Sequence, residues 1–339
     1  MKIGILTQPL LNNYGGTLQN YALQVVLRKL GHDPITIDYI PKSSLFRYLL
    51  SCLKTIVYLF IPSKRRSFSA HPRRKKRNTH FYRFIKDNII LTKTVCNLSN
   101  SLIENYGLEA IVVGSDQVWR PKYNPHIKDM FLGFVKNSKI KKISYAASFG
   151  TDKWEFSDEQ TVMLQPLIRK FAAISVREES AVKLCKQYIG IESIQVLDPT
   201  LLIEKTDYMK ICSRVPKEEK NFIFAYILDM DNKKMELLDE IGKEWGIAIQ
   251  CHSAEAEANL SIEEWIAKFR DASYIVTDSF HGTVFSILFG KPFRCLLNEN
   301  RGSSRLDTLL RFYNNGTIEQ KRKESIDFLK KTLINPAKA

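Results

Sequence analysis

Short runs of β-branched and apolar residues alternate along this chain with stretches in which apolar positions recur every three or four residues. The short runs predict strands at 2–7, 35–38, 110–113, 143–147, 172–176 and 193–197. After Asp198-Pro199-Thr200 the cycle restarts, with strands expected at 221–228, 247–251, 274–277 and 293–297. Between them the spacing predicts helices. At 17–30, Leu23, Val26, Leu27 and Leu30 share one stripe that Gly31 closes, and at 261–272 Ser261 and Glu264 form a capping-box pattern. Strands alternating with helices imply parallel sheets covered on both faces. A charged, Pro-containing stretch at 215–220 interrupts the alternation, so two α/β domains are expected, 1–200 and 201–339.

In open α/β sheets ligands bind beyond the carboxyl ends of the strands, so residues that end strands come first. The segment Thr277-Asp-Ser-Phe-His-Gly282 ends one strand and opens a helix. It puts Ser279 and the imidazole of His281 where free backbone N–H groups favour an anion, and histidine moves protons near neutral pH. A second junction follows strand 2–7 and holds Asn13, Gly15, Gly16 and Gln19. Its paired glycines fit either a close ligand approach or a tight structural turn. With no GxGxxG and no Walker lysine, a dinucleotide or P-loop role is disfavoured. Two such junctions suggest a cleft built from two halves.

Three further strand ends carry charge. Asp116 ends the 110–113 strand with Arg120 one turn on, which is either a site or an N-cap beside a surface arginine. Arg177 follows the 172–176 strand and either lines the cleft or serves as an ion-pair partner. Arg301 and Arg305 sit in a Ser-rich loop after the last strand, and arginine suits bidentate recognition of carboxylate or phosphate.

The 339 residues, 44% hydrophobic and 26% charged, are those of a soluble globular protein with a sizeable core. Its six cysteines are scattered without CxxC or His-rich spacing, so no metal site and reduced thiols are expected. The N-terminal segment already reads as a core strand and not as a signal peptide, which makes a cytoplasmic location the expectation. The net charge of +15 is concentrated: fourteen basic residues against the single acid Asp87 fall within 42–93 and carry all but two of the net charges. That pattern speaks for one local contact with something anionic.

Taken in order, the motifs resemble those of the polysaccharide pyruvyl transferase family. They are Asn13-Tyr-Gly-Gly-Thr-Leu-Gln-Asn-Tyr-Ala-Leu-Gln24, Gly114-Ser-Asp-Gln-Val-Trp119, Ser144-Tyr-Ala-Ala-Ser-Phe-Gly150, Ser175-Val-Arg-Glu178, Asp198-Pro-Thr200, Ser279-Phe-His-Gly282 and Arg301-Gly-Ser-Ser-Arg305. The resemblance spans nearly the whole chain, and 42–92 is where no family motif is recognised. It implies a GT-B-like fold of two Rossmann-like domains with the active site between them. It also implies transfer of pyruvate from phosphoenolpyruvate, as co-substrate and with no further cofactor, to a sugar diol, giving a cyclic ketal and phosphate. On that reading His281 shuttles protons, Arg301 and Arg305 bind the donor anion, and Asp116 orients or deprotonates the acceptor hydroxyl.

Within the basic region, 45–61 is largely apolar with Arg47, Ser51, Lys54, Thr55 and Tyr58 on one helical face, followed by a cluster of Lys and Arg at 64–77. It is too polar to span a bilayer, and reads either as a helix lying on an anionic membrane surface or as a packed helix followed by a solvated loop. The first reading makes the protein peripheral on the inner face of the cytoplasmic membrane, near a polyprenyl-diphosphate-linked sugar acceptor. Two rivals remain: a GT-B glycosyltransferase using a nucleotide-sugar donor, and a nucleic-acid-binding protein in which Phe68, Phe81 and Tyr82 interleave with the charges. The second leaves the junctions at Gly15 and His281 without a role, so nucleic acid is not expected as a partner.

Overall fold

The near-continuous apolar character of the central strands is what a parallel sheet buried on both faces requires. The computed structural model describes residues 1–41, 78–137, 139–253, 260–298 and 302–334. The apolar stretch 45–61, the basic cluster 64–77 and Arg301 lie outside them. Six parallel strands form the first sheet: β1 (Lys2–Leu6), β2 (Asp33–Thr36), β3 (Ala110–Val113), β4 (Lys141–Ala147), β5 (Ala173–Val176) and β6 (Ile194–Gln195), in the order β2-β1-β3-β4-β5-β6. Four more, β7 (Phe222–Ile227), β8 (Ala248–Ser253), β9 (Tyr274–Thr277) and β10 (Phe293–Cys295), form a second parallel sheet in the order β10-β9-β7-β8.

All ten expected strands are present. The largest offset is at β2, which starts at Asp33 and includes Pro34. Because β2 is an edge strand, a residue without an N–H is tolerated there, and a hydrophobicity reading that starts at Ile35 misses it. In each sheet the strand order reverses once, between β1 and β3 in the first and between β7 and β9 in the second. Those reversals open crevices at the carboxyl ends of the strands. The result is two Rossmann-like lobes around a cleft, the GT-B-like architecture.

The lobes share a core. One cluster of buried side chains includes Ile3, Leu18 and Val112 of the first lobe together with Phe224, Trp265 and Phe285 of the second. Tyr14, the first residue of the helix Tyr14–Lys29, stacks on Trp265 with ring centroids 5.1 Å apart and planes within 9°. Trp265 in turn packs against Phe269 and Phe285.

Two elements depart from the simple division of the chain. The helix Thr79–Asn88, at the end of the basic region, is capped by Asn78 and buries Phe81, Phe84 and Ile85, with Phe81 4.9 Å from the Tyr14 ring. Phe81 is fully buried and cannot stack on a base. The helix Ile318–Thr332 returns to the first lobe: Leu197 N–H donates to Ser325 Oγ at 2.9 Å and Phe328 packs on Tyr145.

Removing the aromatic joint leaves a cavity that neither lobe can fill alone. Trp265→Ala is expected to cost about 3–5 kcal/mol, read as a lower urea midpoint; an unchanged midpoint would mean that the joint does not hold the lobes.

Candidate active site

His281 owes its position to the turn that follows β9. Thr277 Oγ1 donates to the Tyr226 carbonyl at 2.6 Å and accepts from Ser279 N–H at 3.1 Å, and Ser279 Oγ caps the next helix by accepting from Gly282 N–H. That helix, Phe280–Phe289, therefore starts with its free N–H groups and His281 at the cleft. A Cβ on Gly282 would lie 2.2 Å from Thr277 Oγ1, so a side chain there would break the turn. From the other lobe, Gly15 presents bare backbone to the imidazole: a Cβ at Gly15 would lie 2.0 Å from His281 Nδ1. On its far side the ring has Nε2 3.8 Å from Asp198 Oδ1. The imidazole is thus held between the lobes at their junction, only 8% exposed but lining the cleft.

Asp198 belongs to a buried charge cluster drawn from three strand ends of the first sheet. Arg177, just after β5, donates from Nη1 to Asp198 Oδ2 at 2.8 Å and from Nη2 to Asp116 Oδ1 at 3.3 Å. Its guanidinium lies over the Phe280 ring at 4.6 Å. Asp116 itself has a left-handed backbone (φ 72°), which turns its carboxylate back so that Oδ1 also accepts from Gln117 N–H. Burial opposes the charge on Asp198, but the His281 ring, Arg177 and Thr200 outweigh it and hold its pKa well below the usual carboxylate range. Asp116 shifts the same way: burial is again the opposing effect, and Arg177, His281 and Arg305 overcome it.

Arg305 lines the cleft from the second lobe, in the first turn of the helix Ser304–Asn314. Burial, reinforced by the charge of Arg177, brings its pKa down to about 10. Asn13, Gly15, Asp116, Ser279 and His281 share the same cleft of about 320 Å³. Four other expected site residues do not line it. Gly16 packs against the Asn13 side chain, and Gln19 ties the first junction together, donating to Thr7 Oγ1 and Gly16 O and accepting from Ser115 N–H. Arg120 is committed to Glu155 by two 2.9 Å bonds and to Gln117. Arg177 lies behind the wall and serves as the ion-pair partner of two carboxylates.

The structure adds residues to this set. Tyr14, Tyr226 and His252 line the cleft, as do Asp278 and Asn298. Asp278 accepts from Leu228 N–H, Lys234 Nζ and Asn298 Nδ2, and so braces the second crevice. His252 is marked only by its position one residue from the end of β8, the kind of strand-end signal that singled out Asp116. Among the described residues no cluster of His, Cys, Asp or Glu is arranged to hold a metal ion.

The family model described as polysaccharide pyruvyl transferase matches residues 13–300, which takes in both junctions and the charge cluster. The chain belongs to the polysaccharide pyruvyl transferase family. No curated protein matches it. Among solved structures, this family member is similar to a glycosyltransferase from Rickettsia africae ESF-5, at 10% identity, covering 98% of this chain and 93% of that one, with a TM-score of 0.41. It is also similar to S. aureus MnaA with UDP, at 12% identity, covering 95% and 90%, with a TM-score of 0.49.

Two predictions follow from the geometry of the pyruvyl transferase cleft. Since both depressed carboxylates have folded pKa values below their unfolded value of about 4, they stabilise the fold above that pH, and the contribution is lost as pH falls through the folded values. Asp198→Asn is expected to flatten this acid-side loss and to cost about 3–5 kcal/mol at neutral pH by leaving Arg177 short of a counter-charge; urea melts across the acid range read both effects. Gly15→Ala adds a methyl where the imidazole lies but improves helix propensity by up to about 1 kcal/mol. It should keep its thermal midpoint while the His281 ring resonances move in NMR spectra. Unmoved resonances would contradict the contact.

Proposed function

We propose that the protein transfers the pyruvyl unit of phosphoenolpyruvate to two hydroxyls of one sugar, forming a cyclic ketal and releasing phosphate. The observation that carries this reading is the meeting, in one cleft, of an imidazole with a buried guanidinium and two helix N-termini. The helices Phe280–Phe289 and Ser304–Asn314 both open at residues lining the cleft, Ser279 and Ser303, and Arg305 stands beside them. An arriving anion would offset, by its charge, the burial and the Arg177 repulsion that lower the Arg305 pKa. Phosphoenolpyruvate brings a carboxylate and a phosphate, which suits such donors.

In this reading His281 gives a proton to the methylene carbon, C3, so that positive charge develops at C2. A sugar hydroxyl attacks C2, phosphate departs, and the second hydroxyl closes the ketal. The protons balance: of the two released by the hydroxyls, one replaces that given to C3 and one leaves on phosphate. Asp198, 3.8 Å from His281 Nε2, stabilises the imidazolium and fixes the ring. Asp116 acts by orienting, because a carboxylate with a depressed pKa is a weak base. Arg301, outside the described residues, follows in sequence the loop after β10 and joins Arg305 as a donor ligand. The chemistry calls on no cofactor beyond the co-substrate.

The acceptor in this proposal is a glycan precursor carried on a polyprenyl diphosphate, with the basic stretch 45–77 meeting the anionic membrane surface. Its charge supports that placement. Among the described residues no helix is long and apolar enough to cross a membrane.

Calorimetry with phosphoenolpyruvate and with UDP-glucose separates this reading from a nucleotide-sugar transferase: only the former should bind. His281→Gln is expected to bind the donor yet lower phosphate release by about 10²–10⁴-fold. Near wild-type release from that variant would remove His281 from the chemistry.

A further inference from the structure

The proposed transfer needs a group to take the proton of the attacking hydroxyl, and neither His281, which acts as an acid, nor Asp116 fills that role. The wall of the cleft formed by β8 supplies a candidate. His252 pairs in register with Tyr226 of β7, and its ring stacks on the Tyr226 ring at 6.2 Å and 17°. It lines the same cleft as His281, from the strand on the opposite side of β7 to β9.

The protonation of this ring follows from its partner in the other lobe. His252 Nε2 lies 3.3 Å from Tyr14 Oη, and Tyr14 Oη donates its one hydrogen to the Leu260 carbonyl at 2.7 Å. A phenol oxygen whose hydrogen is committed can only accept, so the proton of the neutral ring sits on Nε2 and the lone pair on Nδ1. Tyr14 stays a phenol, since burial foremost, then Tyr226 and Glu264, raise its pKa. Burial of His252, followed by the charge of Lys268, lowers the pKa of the imidazole and keeps it neutral at neutral pH. Lys268 is itself held by Glu218 and by Gln250 Oε1.

We propose that His252 receives the acceptor sugar: Nδ1 accepts a hydrogen bond from the attacking hydroxyl and takes its proton as the oxygen bonds to C2 of the donor. The O–H bond breaks and the C–O bond forms, and the resulting imidazolium passes the proton on to the departing phosphate, which restores the neutral ring before the next turnover. Tyr14 is a positioning residue that fixes the tautomer. The assignment rests on the pyruvyl-transfer reading.

The test uses the full chain, wild type and His252→Gln, whose amide keeps a donor for Tyr14 but lacks the basic nitrogen. Phosphate release from phosphoenolpyruvate is followed against pH with p-nitrophenyl β-D-galactopyranoside, β-D-glucopyranoside and β-D-mannopyranoside as probe acceptors. Donor affinity comes from calorimetry, and the ring tautomer from ¹⁵N NMR. The expected result is an Nε2–H tautomer in the wild type and donor affinity unchanged within about twofold in the variant. Turnover by the variant should fall about 10²–10⁴-fold, without the acid limb of the wild-type profile. Tyr14→Phe, which frees the tautomer, should lose less than His252→Gln. An acid limb that persists in His252→Gln, a loss of donor affinity in that variant, or an Nδ1–H or charged ring in the wild type overturns the assignment alone. Where none of the probes is turned over, the tautomer decides. Wild type that binds no phosphoenolpyruvate overturns the transfer reading itself, and this assignment with it.

Discussion

A buried arginine held between two aspartates organises this molecule. Arg177 ties the end of β5 to Asp116 beyond β3 and to Asp198 beyond β6, so three strand ends of one sheet meet at a single guanidinium. An ion pair of this kind is costly to desolvate and adds little net stability over well-packed apolar residues. What it supplies is position. Once Arg177 neutralises much of the charge on Asp198, the remaining oxygen faces Thr200 and the imidazole of His281 from the opposite lobe. The cluster therefore holds an imidazole of the second lobe at the junction.

The same arrangement explains why the first helix begins as it does. Tyr14 and Gly15 are adjacent and do opposite things. Tyr14 fills the space between the lobes with an aromatic ring against Trp265, and Gly15 keeps the space beside it empty for His281. A rigid packed joint next to a bare backbone lets two lobes share the His281 ring without a loose interface. The aromatic cluster is continuous across both lobes.

Much of this was legible in the chain. The strands are short apolar runs ended by polar residues, and a buried parallel sheet enforces that pattern strongly, so all ten were found and the residues beyond their carboxyl ends included His281, Asp116 and Arg305. What periodicity does not carry is partner choice. Arg120 and Arg177 follow strands in similar ways, yet one is drawn to Glu155 and the other to two aspartates, a difference made by residues far away in sequence. The return of helix Ile318–Thr332 to the first lobe rests on Ser325 and Phe328 meeting Leu197 and Tyr145, again a long-range match with no local mark. The basic region was legible as charge, but its last part, Thr79–Asn88, is a core helix whose Phe81, Phe84 and Ile85 face inward while Tyr82 and its charges face out.

The two histidines in the cleft have different polar neighbours, and both neighbours come from across the junction. His281 faces the Asp198 carboxylate; His252 faces a phenol oxygen, and burial, followed by the nearby charge of Lys268, lowers its pKa. Here each environment is completed by the other lobe: Asp198 comes from the first lobe to His281 in the second, and Tyr14 comes from the first lobe to His252 in the second. Docking through the Tyr14–Trp265 joint therefore both closes the core and gives each imidazole its polar neighbour, which is a physical reason for building the cleft between two sheets instead of at the edge of one.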